Sequence, residues 1–81
     1  LNNGTLTITG TVNNDDIEVF GDGPGAVSIS ANGNDLGPFT GVTNIVVNGG
    51  AGNDSLDVWD IDINGNLSVN GGTGNDEIRL S

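Results

Sequence analysis

Apolar and polar residues alternate in short runs along this chain. The runs lie at positions 6–8, 17–19, 27–29, 45–47, 56–58, 67–69 and 78–80. Alternation with a period of two is typical of a β-strand that buries one face. No segment has the i, i+3, i+4, i+7 spacing of an amphipathic helix, and the abundant Gly and Asn are poor helix formers. The pattern therefore predicts an all-β chain.

The runs belong to a repeat. Residues 67–80 superimpose on residues 45–58 without a gap, and residues 6–19 fit the same frame with their glycines partly eroded. Residues 27–39 resemble a degenerate fourth copy. A period of about 20 residues with two or three short strands is typical of a solenoid. We therefore expect residues 1–81 to form a single right-handed parallel β-solenoid (β-helix or β-roll) of about four coils.

Each copy of the repeat has a turn between its two strands. The turns read GGAGND at 49–54, GGTGND at 71–76 and GTVNND at 10–15. Glycines permit a tight backbone, and the closing Asp supplies a negative charge. Because stacked strands lie about 4.8 Å apart, the closing Asp residues of stacked turns come close together. The sequence therefore predicts a cation between the turns.

The segments 49–57 and 71–79 match GGxGxDxUx, in which U is a bulky apolar residue, and segment 10–18 matches it in part. This motif resembles the hemolysin-type calcium-binding repeat (RTX) family. Only one side of each expected coil carries the motif, so the resemblance implies few ions. It also implies Ca²⁺ as cofactor, with Asp54 and Asp76 as carboxylate ligands and Asp15 at a second site with Asp35 or with a turn of a neighbouring unit. The remaining implied ligands are turn residues whose backbone carbonyls bind: Gly49, Ala51, Asn53, Gly71, Thr73 and Asn75.

Charge narrows the possible partners. The 81 residues contain 11 acidic side chains and one basic one, Arg79, which gives a net charge of −10. This balance argues against nucleic acid and anionic membranes and favours cations. The chain has no Cys, His or Lys, and no apolar run of about 20 residues that could insert in a membrane. Because it begins at Leu1 and not Met, we expect a mature product, a fragment or one segment of a longer array.

These features predict a structural function and no enzymatic activity. We expect a calcium-stabilised repeat of a secreted or cell-surface bacterial protein, such as an adhesin, a fibre or a matrix component. Its expected partners are further copies, by self-association or as tandem copies end to end, and a cell-surface or carbohydrate matrix. The alternative is the C-terminal calcium-binding and secretion module of an RTX toxin or secreted hydrolase. A third hypothesis is a β-helical enzyme that cleaves acidic sugars.

Other short patterns favour ordinary structural roles. Residues 60–65 resemble the start of an EF-hand loop, but the twelfth position is a glycine and the flanks are not helical. The pair Asp15-Asp16 resembles paired catalytic carboxylates, although Asp15 occupies the repeat's ligand position. The alternating threonines at 5, 7 and 9 do not recur in the other copies, which argues against an ice-binding face. We expect Trp59 to lie at a corner and to pack against a neighbouring coil.

Overall fold

The computed structural model describes residues 3–81, which form two β-sheets. One sheet has three strands in the order β1-β5-β7, and the other has five in the order β4-β3-β2-β6-β8. The described residues measure 32 × 24 × 22 Å along their principal axes. None of them forms a helix long and apolar enough to cross a membrane. The strands are β1 (Thr5–Thr9), β2 (Asp16–Gly23), β3 (Ala26–Ala31), β4 (Asn34–Phe39), β5 (Asn44–Asn48), β6 (Ser55–Trp59), β7 (Leu67–Asn70) and β8 (Glu77–Leu80).

Six of the strands form three layers, each a strand, a turn and a second strand. The layers are β1–β2, β5–β6 and β7–β8, and each strand pairs in parallel with its counterpart in the next layer. Residues at the same position of the repeat lie side by side, as the repeat predicts. The aligned sets include Leu6/Ile45/Leu67, Ile8/Val47/Val69, Ile17/Leu56/Ile78 and Val19/Val58/Leu80.

The prediction of a parallel β-solenoid of four coils is wrong. Strands β3 and β4 form an antiparallel hairpin beside β2, so the five-stranded sheet is mixed and the molecule is compact. The cause is the Asn32-Gly33 pair, whose φ angles of 51° and 85° are the two positive values of a two-residue hairpin turn. Val27 consequently pairs with Gly21 and Phe39, so residues 27–39 do not stack as the fourth copy of the repeat.

Inward residues of both sheets form one hydrophobic core. It includes Val27 and Ile29 of the hairpin as well as residues of the first two layers. The third layer is different, because Leu67, Ile78 and Leu80 occupy inward positions of the repeat and yet are 38%, 42% and 60% exposed. Within residues 3–81, nothing pairs with the outer edges of β7 and β8. We call this face, made of β7, β8 and their apolar side chains, the open end.

Candidate functional site

The three turns at 10–15, 49–54 and 71–76 stack on one side of the molecule, and glycines allow their close approach. A Cβ atom added to Gly49 would lie 2.8 Å from Oδ2 of Asp54, so the carboxylate occupies the space that a side chain would fill. Gly50 has φ +86°, and its added Cβ would lie 2.6 Å from the carbonyl oxygen of Thr11. Side chains at these positions would separate the layers or displace the Asp.

The closing Asp residues of the turns form a column that we call the Asp column: Asp15, Asp54 and Asp76. The backbone N–H of Asp15 donates to Oδ1 of Asp54 at 2.8 Å, and the N–H of Asp54 donates to Oδ1 of Asp76 at 2.9 Å. Asp15 and Asp54 are buried. Each of these two bonds joins one layer to the next with a charged acceptor, which is a stronger bond than one between neutral groups.

The Asn residues that precede them form a second, outer column. The N–H of Asn53 donates to Oδ1 of Asn14 at 2.7 Å, and the N–H of Asn75 donates to Oδ1 of Asn53 at 2.8 Å. These bonds run in the opposite direction to those of the Asp column. Two series of hydrogen bonds from backbone N–H groups to side-chain oxygens, which run in opposite directions, therefore hold the turns in register.

The β3–β4 hairpin closes the Asp column at the first layer. The side-chain amide of Asn32 donates from Nδ2 to Oδ1 of Asp15 at 3.0 Å, and its Oδ1 accepts the N–H of Asp16 at 2.7 Å. Asn32 thus supplies Asp15 with the donor that the N–H of an Asp in a preceding layer would supply in a longer stack. This bond, aided by the N–H of Thr11, lowers the pKa of Asp15 below the ordinary value of 3.8.

The pKa of Asp54, in the middle of the column, is shifted in the opposite direction to that of Asp15. Burial of its carboxylate raises its pKa, and the charges of Asp15 and Asp76 raise it further, although the Asp15 amide opposes the change. Its Oδ2 atom is buried and accepts no hydrogen bond from the described residues. Asp54 is therefore the group in the column whose negative charge is least well stabilised.

The predicted ligand residues lie in the stacked turns, which contribute one closing Asp from each layer. Residues 3–81 contain no group of three or more His, Cys, Asp or Glu side chains that could hold a metal. The description of the chain as calcium-binding is therefore not supported. The reason is geometric, since the column provides one carboxylate per layer and Asp54 and Asp76 each accept an amide of the adjacent layer. Ca²⁺ as cofactor stays a prediction from the sequence.

The remaining predicted ligands differ in how far they are exposed to solvent. Gly49 and Gly71 open their turns and are buried, Ala51 is half-buried, and Thr73 is exposed. Asn53 and Asn75 belong to the outer Asn column. Asp15 and Asp35, proposed from sequence as a pair, line the same groove between β1 and the hairpin.

Sequence reasoning missed two features of the molecule. The first is the closing role of Asn32, although an Asn-Gly pair between two alternating runs is a strong hairpin signal. The second is a stacked aromatic pair, Phe20 and Trp59, with ring centroids 5.0 Å apart and planes inclined by 13°. Both residues occupy equivalent positions of β2 and β6, which the repeat frame could have revealed.

Comparison with known proteins gives no family to which the chain can be assigned. No protein-family model, no curated protein and no solved structure matches it.

Proposed function

We propose that this chain is a structural module of an extracellular or cell-surface assembly, and that it joins a second copy through its open end. The observation that carries the proposal is the combination of two strand edges with which no described residue pairs and the exposed side chains of Leu67, Ile78 and Leu80. Unpaired edges present a row of backbone donors and acceptors to another strand. Apolar side chains beside such edges gain free energy when another surface covers them.

The two ends of the molecule differ, and the difference determines how copies can meet. At the first layer, β2 already has β3 on its outer edge, and Asn32 closes the Asp column. A copy stacked head to tail would have to place its β8 where β3 lies. Two open ends face no such obstruction. The favoured arrangement is therefore a two-fold symmetric dimer in which each copy contributes the same surface.

Two open ends can meet in two ways that pair their edge strands antiparallel, and charge repulsion distinguishes these two arrangements. If β7 met β8 of the other copy, the 71–76 turns would coincide, and the two Asp76 carboxylates, each of which accepts the Asp54 N–H of its own copy, would lie on the same side of the interface. If β7 meets β7 and β8 meets β8, the turns lie at opposite sides of the interface. Like charges repel, and the repulsion falls as the distance between them grows. The second arrangement is therefore preferred.

The proposal is tested by sedimentation equilibrium of the 81-residue chain over a range of concentrations. We expect a monomer–dimer equilibrium that becomes tighter with added NaCl, since each copy carries a charge of −10 and salt screens the repulsion. Leu80→Asp on β8 places a charge in the interface and should weaken association at least tenfold, as burial of an unpaired charge costs more than 1.4 kcal/mol.

The matched control is Leu36→Asp, which makes the same change at a 52% exposed position on β4, away from the open end. This variant should dimerise as the wild type does. Circular dichroism and melting curves of both variants confirm that they are folded. A wild-type chain that stays monomeric at millimolar concentration, or equal loss of association in the two variants, contradicts the proposal.

A further inference from the structure

The stacked pair of Phe20 and Trp59 lies on the outer face of the five-stranded sheet. Val19 and Val58, which precede them, are buried in the core, so alternation directs the two aromatic side chains outward. Trp59 is 36% exposed. The chain contains only three aromatic residues, and two of them form this pair on a surface where core packing does not require them.

The strand on the other side of Trp59 places a small residue beside the indole. Phe20 stacks on the β2 side of Trp59. On the β8 side the chain reaches Ser81, whose N–H donates to the carbonyl oxygen of Val58 and whose side chain is small. Stacked strands are about 4.8 Å apart, which leaves space for one further planar group over the indole.

Acidic side chains surround the same position. Asp57 lies two residues before Trp59 on the same face, with Glu18 opposite it on β2. Asp60 directly follows Trp59 and is exposed. The one basic side chain, Arg79, is opposite Asp57 on β8, but its guanidinium forms an ion pair with Glu77 at 2.6 Å. The indole face thus lies in a strongly negative potential.

We propose that Trp59, Phe20 and Asp57 form a binding site for a guanidinium group, supplied by an arginine side chain of a partner polypeptide. A guanidinium is planar and weakly hydrated, so it can stack on an indole and donate to a carboxylate at the same time. A cation over the face of Trp is attracted by the ring's quadrupole. A neutral sugar could also stack there, but it would gain nothing from a net charge of −10.

Because Trp59 is the single tryptophan, its fluorescence reports directly on the site. The probe is N-acetyl-arginine amide, titrated at constant ionic strength. Its control is N-acetyl-citrulline amide, which has nearly the same shape without the charge. We expect a saturable emission change with the arginine compound in the millimolar range and none with citrulline. Methyl glucoside forms a third titration.

Variants assign the effect to the site. Asp57 is half-buried, and its Oδ1 accepts no hydrogen bond from the described residues. Asp57→Asn should weaken arginine binding about threefold, in keeping with the modest strength of ion pairs near a protein surface. Asp35→Asn makes the same change on the exposed strand β4, away from the aromatic pair, and should leave binding unchanged. Phe20→Leu removes the stacked ring and should also weaken binding, while circular dichroism checks that the sheet is intact.

Three outcomes overturn the inference. The first is an arginine response no larger than the citrulline response. The second is saturation by the glucoside alone, which would make the pair a sugar-binding surface. The third is an equal loss of arginine binding in the Asp35 and Asp57 variants, which would mean that the net negative charge of the molecule attracts the arginine and that Asp57 has no specific role.

Discussion

Replacing Asn32 by Gly tests whether the β3–β4 hairpin closes the Asp column. The substitution keeps the left-handed backbone, φ 51°, which glycine accepts readily, and removes only the side chain. It thereby deletes the bond from Nδ2 to the Asp15 carboxylate and the bond from the Asp16 N–H to Oδ1. A bond to a charged group contributes about 1.5–3 kcal/mol and a neutral one about 0.5–1.5 kcal/mol.

Because Asn32 is exposed, the lower values apply, and the expected loss of unfolding free energy is about 2 kcal/mol. For a chain of this size, that loss corresponds to a fall in Tm of roughly 10 °C. Urea denaturation and thermal melting measure it.

The control is Asn3→Gly. Asn3 precedes a glycine in a turn with the same φ of 51°, so this variant reports the entropic effect of the added glycine alone. A second variant, Asn32→Asp, keeps the acceptor for the Asp16 amide but sets a carboxylate against Asp15. It should be less stable than Asn32→Gly at neutral pH and recover as the pH falls. If Asn32→Gly and Asn3→Gly lose equal stability, the closing role of Asn32 is refuted.

Three further predictions concern the turns and their charges. Gly50→Ala should cost more stability than Gly33→Ala, because both glycines have positive φ but only at Gly50 would the new Cβ meet backbone, the Thr11 carbonyl at 2.6 Å; equal losses in chemical denaturation would contradict this. Stability should rise as the pH falls from neutral toward the ordinary Asp pKa of 3.8, because the raised pKa of Asp54 favours proton uptake in the folded state. Stability should then fall below that pH as Asp15, whose pKa is lowered, becomes protonated, and Asp54→Asn should abolish the rise but not the fall. The sequence-based prediction of Ca²⁺ requires that millimolar Ca²⁺ raise the Tm more than Mg²⁺ does at equal concentration; equal shifts would indicate charge screening only.

The sequence predicts which strands of the three layers lie side by side, because equivalent positions of successive copies of the repeat pair in the structure. Rows such as Ile17, Leu56 and Ile78 could be aligned from the frame alone. The repeat does not predict the hairpin, because residues 27–39 match the repeat only weakly. In the folded chain, the strong local turn preference of Asn32-Gly33 determines the structure of this segment instead.

The repeat predicts that the three turns stack, but it does not predict the contacts that their Asp side chains make. Sequence spacing brings Asp54 near Asp76, and it cannot say whether their oxygens face an ion or an amide. That depends on the offset between layers, which sets the N–H of one Asp against the carboxylate of the next at 2.9 Å. The stacking of Trp59 on Phe20 depends likewise on the pairing of β2 with β6.

Hydrogen bonds from backbone N–H groups to carboxylates hold the Asp column together, and NMR can observe these bonds directly. Scalar coupling across a hydrogen bond joins the amide nitrogen of the donor to the carbonyl or carboxyl carbon of the acceptor. The account predicts such couplings from the Asp15 amide to Cγ of Asp54 and from the Asp54 amide to Cγ of Asp76, together with slow exchange of both amide protons. Absence of both couplings, with rapid exchange in a folded sample, would contradict it.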